Sequence, residues 1–194
     1  MRQTAEDQQP PKTPRNMSKF QESLKVFESK DAARYAGALF HESFGGDFPV
    51  PCAYGILDTL IQPQDWRQYV AVYTWPDGTE ECVGFCNWIK YKDVYLEGGL
   101  AVSKSFYRRL DKPAFAECSK RGGVAQIIME TAANELTDCV AWFGYCGDVK
   151  ALRVDMRVGY VQLDHPCLIV KWMQQLDEAA RRQWIDDVVR IGPF

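Results

Sequence analysis

Long apolar runs, histidine and a surplus of basic residues are what this sequence is short of, and each shortage closes off a class of function. No stretch approaches the roughly 20 consecutive apolar residues that a helix needs to span a bilayer. The opening residues, Met1-Arg-Gln-Thr-Ala-Glu-Asp, carry no apolar run, so the expectation is a chain without a secretory leader that works in the cytoplasm, with no membrane partner. Histidine occurs twice, at His41 and His165, and no Cys-x-x-Cys is present, so no metal centre is expected. Lys and Arg together number 23 against 26 Asp and Glu, a net charge of -3, which gives no electrostatic reason to expect a nucleic-acid partner. The cysteines number seven. Cys82 and Cys86 fall in a strand-like run that would hold them roughly 13 Å apart, too far for a disulfide or one metal ion. The reading is reduced thiols packed in a core.

What is present suits one globular domain. The 194 residues are 46% hydrophobic and 25% charged, enough to bury a sizeable core. Aromatic residues make up 13%, six of them Trp, which favours a sheet with aromatic anchors. Residues 1–17 are polar and carry Pro10, Pro11 and Pro14, so they cannot fold alone. We expect a tail over 1–19, either disordered or ordered on a partner, and a single domain over 20–194 ending in a helix.

Taken in order, Leu24–Glu28 reads as a strand, followed by a helix over Asp31–Ser43 with Ser29 as its N-cap and Gly45-Gly46 as its stop. His41, near that helix's end, reads as a C-terminal capping cation. A second short helix is expected over Ala53–Ile61, ended before Pro63. Two β-rich runs, Gln68–Trp75 and Glu81–Ile89, flank Pro76-Asp-Gly, a strong hairpin signal. Ser103–Ser119 is charged with embedded aromatics and reads as a long functional loop with one helical turn. The last strands are expected at Tyr160–Leu163 and Cys167–Trp172, with His165 in the turn between them. A C-terminal helix is expected over Asp177–Val189.

The stretch from Tyr95 to Tyr160 organises the rest. A strand, Tyr95–Val102, is followed after the polar insertion by Lys120-Arg-Gly-Gly-Val-Ala125, which leads into a helix pattern over Gln126–Leu136. A nearly all-apolar strand, Cys139–Phe143, comes next, and then a helix over Val149–Val158 closed by Gly159. A glycine turn at a helix start presents backbone N–H groups beside the positive end of the helix dipole, a ready site for phosphate. The hairpin meander with a helical crossover predicts an α+β fold with a mixed, mostly antiparallel sheet flanked by helices.

This order, with its glycine turn and a helix ending in Gly-aromatic, resembles the GCN5-related N-acetyltransferase (GNAT) superfamily over roughly residues 20–172. The family's pyrophosphate turn, [Q/R]-x-x-G-x-[G/A], matches Lys120-Arg-Gly-Gly123-Val-Ala125, with Lys in place of Gln or Arg. The family's A-x-x-x-Y-x-x-x-G-[F/Y] helix matches Ala151-Leu-Arg-Val-Asp155-Met-Arg-Val-Gly159-Tyr160, with Asp155 where Tyr is usual. The segment Gly144-Tyr-Cys-Gly-Asp148 is similar to one in GNAT-like proteins encoded in phage genomes.

The resemblance implies an acyl-CoA-dependent N-acyltransferase that moves acetyl from acetyl-CoA to an amine. Lys120, Arg121, Gly122, Gly123, Val124 and Ala125 would take the pyrophosphate, and the backbone of Leu100, Ala101 and Val102 the pantetheine arm. Glu97 is the candidate base, against the plainer reading of a strand Glu turned to solvent or paired with Arg. Gly98-Gly99 beside it suits a bulge that turns an N–H toward the thioester, or relieves crowding under a helix. An acid must protonate the leaving thiolate. An ionised Asp155 cannot, unless its pKa is raised, and Tyr145, Tyr160 and Cys146 are nearby substitutes. Asp148 is an N-cap or a contact for an amine. The strands at 95–102 and 139–145 should part in a V. The competing expectation is a catalytically inactive GNAT-fold protein with a structural or interaction role, such as a phage-particle component. It would use the tail or C-terminal helix as an assembly surface, as a homo-oligomer or with another protein, and be virion-associated.

Overall fold

A computed structural model describes residues 18–48, 55–56, 59–60 and 66–194. Seven helices and nine strands are described. They run α1 (Lys19–Ser23), β1 (Leu24–Glu28), α2 (Ala32–Phe44), β2 (Gly55–Ile56), β3 (Thr59–Leu60), β4 (Trp66–Thr74), β5 (Glu80–Tyr91) and β6 (Val94–Val102). Then follow α3 (Lys104–Arg109), α4 (Lys112–Lys120), α5 (Val124–Glu135), β7 (Ala141–Tyr145), α6 (Val149–Arg157), β8 (Val161–Gln162), β9 (Leu168–Trp172) and α7 (Glu178–Ile191). Seven strands form one sheet in the order β1-β4-β5-β6-β7-β9-β8. Among the described residues only β6 and β7 pair in parallel, and the helices α3, α4 and α5 carry the chain from the end of one back to the start of the other. The fold is therefore the expected α+β arrangement with a mixed, mostly antiparallel sheet.

The alternation of side chains along the strands sets the two layers. One face carries Tyr69, Ala71, Cys86, Trp88, Tyr95 and Trp142, which pack with Phe20 of α1, Phe106 of α3 and Ile127, Ile128 and Met129 of α5. The other face carries Val70, Val72 and Phe85 under α2, and Ile89, Leu96, Phe143 and Val170 under Val188 of α7. Each of these large apolar side chains contributes about 1.5–3 kcal/mol on burial.

Four expectations need correction. The segment read as a helix over Ala53–Ile61 forms, where it is described, a two-residue antiparallel pair, Gly55–Ile56 with Thr59–Leu60, and the remainder of that segment lies outside the described residues. Ser103–Ser119 is two helices rather than a loop. Ser103 caps α3 through the Phe106 N–H, and Asp111 caps α4 through the Ala114 N–H. The N-cap of α2 is Asp31, while the Ser29 hydroxyl accepts from the Asp31 N–H at 3.2 Å. Finally, α1 is a helix where none was expected, and Ser18 and Gln21 cap it reciprocally.

Candidate functional site: a buried carboxyl pair under a parted strand pair

The site begins with the pairing of β6 and β7. They run together from Val94–Ala141 to Glu97–Gly144 and no further. β7 ends at Tyr145, held by β9 through Tyr145–Leu168. β6 continues to Val102, paired only with β5. The expected V therefore opens just past Glu97.

The cause lies in Gly98-Gly99. Cys86 pairs with Leu100 and Trp88 with Glu97, so Gly98 and Gly99 on β6 stand opposite Asn87 alone: a β-bulge. A Cβ on Gly98 would lie 2.6 Å from the Asn87 amide, and one on Gly99 would lie 3.0 Å from the Phe44 ring, so the close approaches need glycine. The bulge bends β6 away and leaves its edge along Leu100, Ala101 and Val102 without a strand partner on the β7 side, among the described residues.

A cavity of about 170 Å³ fills the opening. Glu97 forms its floor, Gly98–Leu100 one side, Gly144–Asp148 the other, and Phe44 stands at the mouth. Asp148, Ala151 and Asp155 recur at i, i+3 and i+7, which puts them on one face of α6 and makes that face a wall.

Glu97 is buried at 8% exposure, and the Tyr160 hydroxyl donates to its Oε2. The Cys86 thiol lies 4.0 Å from Oε1. Burial pushes the Glu97 carboxyl well above the usual carboxylate range, the charge of Asp155 pushes the same way, and the Tyr160 hydrogen bond and Lys171 partly oppose them. Asp155 is 2% exposed, and its Oδ1 has no hydrogen-bond partner among the described residues. Burial raises its pKa as well, against the effect of the Cys146 thiol beside it. The two carboxyl groups titrate as a pair, so a proton resides on them at a pH where isolated carboxyls are bare. Tyr160 is driven well above its ordinary value, by burial first and then by Glu97, so it stays a phenol. Burial, with Asp155 reinforcing it, lifts the Cys146 thiol to about 12.

Glu97, Asp155 and Tyr160 are thus brought together on one side of the sheet. Tyr145 contributes to the cavity wall, but its ring packs edge-on against Phe194 at 5.2 Å, on the α7 face. Asp148 is the N-cap of α6, accepting from the Lys150 and Ala151 N–H groups at 2.8 Å each. His41 sits in the last turn of α2 with Nδ1 3.3 Å from the Gly46 carbonyl.

The glycine turn joins α4 to α5. Gly122 and Gly123 both adopt left-handed backbone, φ +83° and +92°, which glycine tolerates without strain. Their N–H groups are already used: Gly122 donates to Ser119 O and Gly123 to Cys118 O. The Val124 N–H donates to the Tyr107 hydroxyl at 3.1 Å. Ala125 and Gln126 carry the N–H groups at the start of α5 that find no acceptor among the described residues. Beside them Lys120, Arg121 and Arg157 line a cavity of about 500 Å³ with Gln126 and Glu130. The Gln126 side chain is buried at 5% exposure, with its Oε1 unpaired among the described residues.

Three participants escaped the sequence reading. Arg157 was within view, four residues from Arg153 and inside the Ala151–Tyr160 motif. Phe44 and Asn87 gave no local signal, because each matters only through a glycine distant in sequence.

The architecture matches that of known acyltransferases. The ribosomal-protein-S18-alanine N-acetyltransferase from Escherichia coli superposes with a TM-score of 0.52 at 9% identity, over 80% of this chain and 97% of that one. Nourseothricin acetyltransferase gives 0.48 at 14%, over 78% and 99%. AtaTR bound with AcCoA gives 0.43 at 12%, over 84% and 99%. At these identities the likeness concerns the fold, which is that of the GNAT acyltransferases, and the first superposition carries that statement. No protein-family model matches the chain, and no curated protein matches its sequence.

Proposed function

We propose that the chain is an acyl-CoA-dependent N-acyltransferase that moves acetyl from acetyl-CoA to an amine. The observation that carries this reading is the buried Glu97–Tyr160–Asp155 group at the floor of an opening created by a glycine bulge. Burying two carboxyl groups costs desolvation free energy, and perturbed carboxyl groups in a cleft suit proton transfer.

The residues fit acetyl-CoA at both ends. Around the phosphates, Lys120, Arg121 and Arg157 supply cations, while Ala125 and Gln126 supply N–H groups at the positive end of α5. Gly122, Gly123 and Val124 shape the turn that aims them. Along the pantetheine arm, the open edge at Leu100, Ala101 and Val102 supplies backbone partners. Bound there, acetyl-CoA supplies an activated acyl group with a thiolate leaving group.

In this reading Glu97 and Asp155 share one proton, and with that proton on Asp155 the Glu97 carboxylate accepts the proton of the incoming ammonium. Tyr160 holds it in position by donating its hydroxyl, and does not itself ionise. Asp155, in the position where Tyr is usual, has its pKa raised by burial and lines the cavity, and in this reading it holds the pair's proton while Glu97 is bare. It protonates the departing thiolate. Tyr145 contributes wall rather than proton transfer. The test is Asp155→Asn, nearly isosteric and unable to act as an acid. A coupled assay of free thiol should show kcat reduced by about 10²–10⁴ with acetyl-CoA binding unchanged. An unchanged kcat removes Asp155 from the role.

A second reading is a catalytically inactive GNAT-fold interaction protein, such as a phage-particle component. It is favoured by the turn, where Tyr107 and the end of α4 already take three of the N–H groups that a pyrophosphate would use. The first reading goes with a cytoplasmic enzyme, the second with a virion-associated partner, and binding of acetyl-CoA separates them.

A further inference from the structure

The charges of the site are segregated. Lys120, Arg121 and Arg157 gather at the α5 start, on the phosphate side. The 170 Å³ cavity is lined by three carboxyl residues, Glu97, Asp148 and Asp155, and among the described residues by no Lys, Arg or His. One of these, Asp155, is 98% buried by its 2% exposure, and its Oδ1 has no partner among the described residues. That orphaned acceptor calls for a donor, and an ammonium or amine N–H is the donor that an acceptor substrate brings.

The cavity also contains the one feature that ordinarily welcomes a carboxylate, a helix start. Gly147, Asp148 and Ala151 line it, so the N-terminus of the nine-residue α6 borders the opening. The Asp148 side chain caps that start, its Oδ1 taking the N–H groups of both Lys150 and Ala151. Lys150 and Lys104 lie near enough to help hold Asp148 ionised, and both are outside the cavity lining. A substrate carboxylate arriving beside its own ammonium would meet the Asp148 carboxylate, with Asp155 and Glu97 beyond it, and would find two of the N–H groups at the α6 start already taken. Electrostatic exclusion of this kind discriminates between substrates of equal shape. At the mouth the Phe44 ring, 49% exposed and stacked on Phe40 at 4.7 Å, offers an apolar surface to whatever the amine is attached to.

We propose that the acceptor is a cationic amine with an apolar or aromatic body and no carboxylate beside its ammonium, and that Asp148 is the residue that excludes zwitterionic amino acids. This rests on the transferase reading above. The reaction is the ordinary one: the ammonium gives one proton to the carboxyl pair, the freed amine nitrogen forms a bond to the acetyl carbon, the carbon–sulfur bond breaks, the thiolate takes a proton from the pair, the second N–H proton replaces it there, and the one proton left over goes to solvent.

The test uses pairs of amines that differ only by the carboxylate, phenethylamine with phenylalanine and 1,5-diaminopentane with lysine. Acetylation of each is followed by thiol release on the full chain, with acetyl-CoA binding measured separately by calorimetry. For the wild type the carboxylate-free member of a pair should be favoured in kcat/KM by at least about tenfold, and Asp148→Ala should shrink that preference by about tenfold. Asp148→Asn keeps the cap and removes the charge, so it should shrink the preference by less while folding normally. Equal rates within each pair, or a preference untouched by both variants, overturns the inference and leaves the transferase standing. Acetyl-CoA binding without turnover of any of the four amines overturns it too. Failure to bind acetyl-CoA at all is the separate result that overturns the reading beneath.

Discussion

At the scale of single residues, the account turns on two buried carboxyl groups whose pKa values the fold raises. Because burial raises the pKa of Glu97 and Asp155, the native chain retains protons that the unfolded chain releases. Their contribution to stability is therefore fully present below the ordinary carboxyl pKa of about 4 and is lost as pH rises through the raised native values. Glu28, Asp138 and Asp148 are lowered, and contribute the opposite slope. Glu97→Gln isolates the first effect, since the amide oxygen still accepts from the Tyr160 hydroxyl but does not titrate. Thermal melts from pH 5 to pH 9 should show the variant gaining on the parent as pH rises. An offset that stays constant over this range contradicts the assignment. Glu97 was legible in the sequence as a carboxylate in mid-strand. Its burial and its Tyr160 partner were not, because they depend on α6 closing over the strand from 63 residues away.

At the scale of elements, the junction of α4 and α5 is where the fold departs most from expectation. The two glycines and the following helix could be read directly, since left-handed backbone at a helix start demands such residues. The helices before it could not. α3 has six residues and α4 nine, too short for a periodicity to declare itself against the charged composition, and the caps at Ser103 and Asp111 are seen only in the structure. Their consequence is the Tyr107 hydroxyl on the Val124 N–H. Tyr107→Phe deletes that acceptor and should cost the free protein about 1 kcal/mol by denaturant titration. With saturating acetyl-CoA the loss should be smaller, because a phosphate oxygen can take the vacated N–H. An equal loss with and without acetyl-CoA would mean that the turn does not face the phosphates.

At the scale of the whole molecule, the sheet follows from rules that the sequence exposes. The Pro-Asp-Gly hairpin fixes β4 against β5, and the crossover through α3, α4 and α5 brings β7 back parallel to β6. The point at which those two strands part is a collective property. It needs the bulge opposite Asn87, the Phe44 ring against Gly99 and the pull of β9 on β7, and no local pattern of residues encodes all three. Gly98-Gly99 hinted at the bulge and the Ala151–Tyr160 motif at the helix that lines the opening. In the transferase reading the open edge, the acid pair and the cations at α5 would act together on one extended ligand. Isothermal titration calorimetry of the full chain with acetyl-CoA tests that combined claim most directly. A saturable heat is predicted, with a dissociation constant between about 1 μM and 1 mM, the range in which such co-substrates ordinarily bind. No heat at millimolar acetyl-CoA would contradict the account and leave the fold as a scaffold.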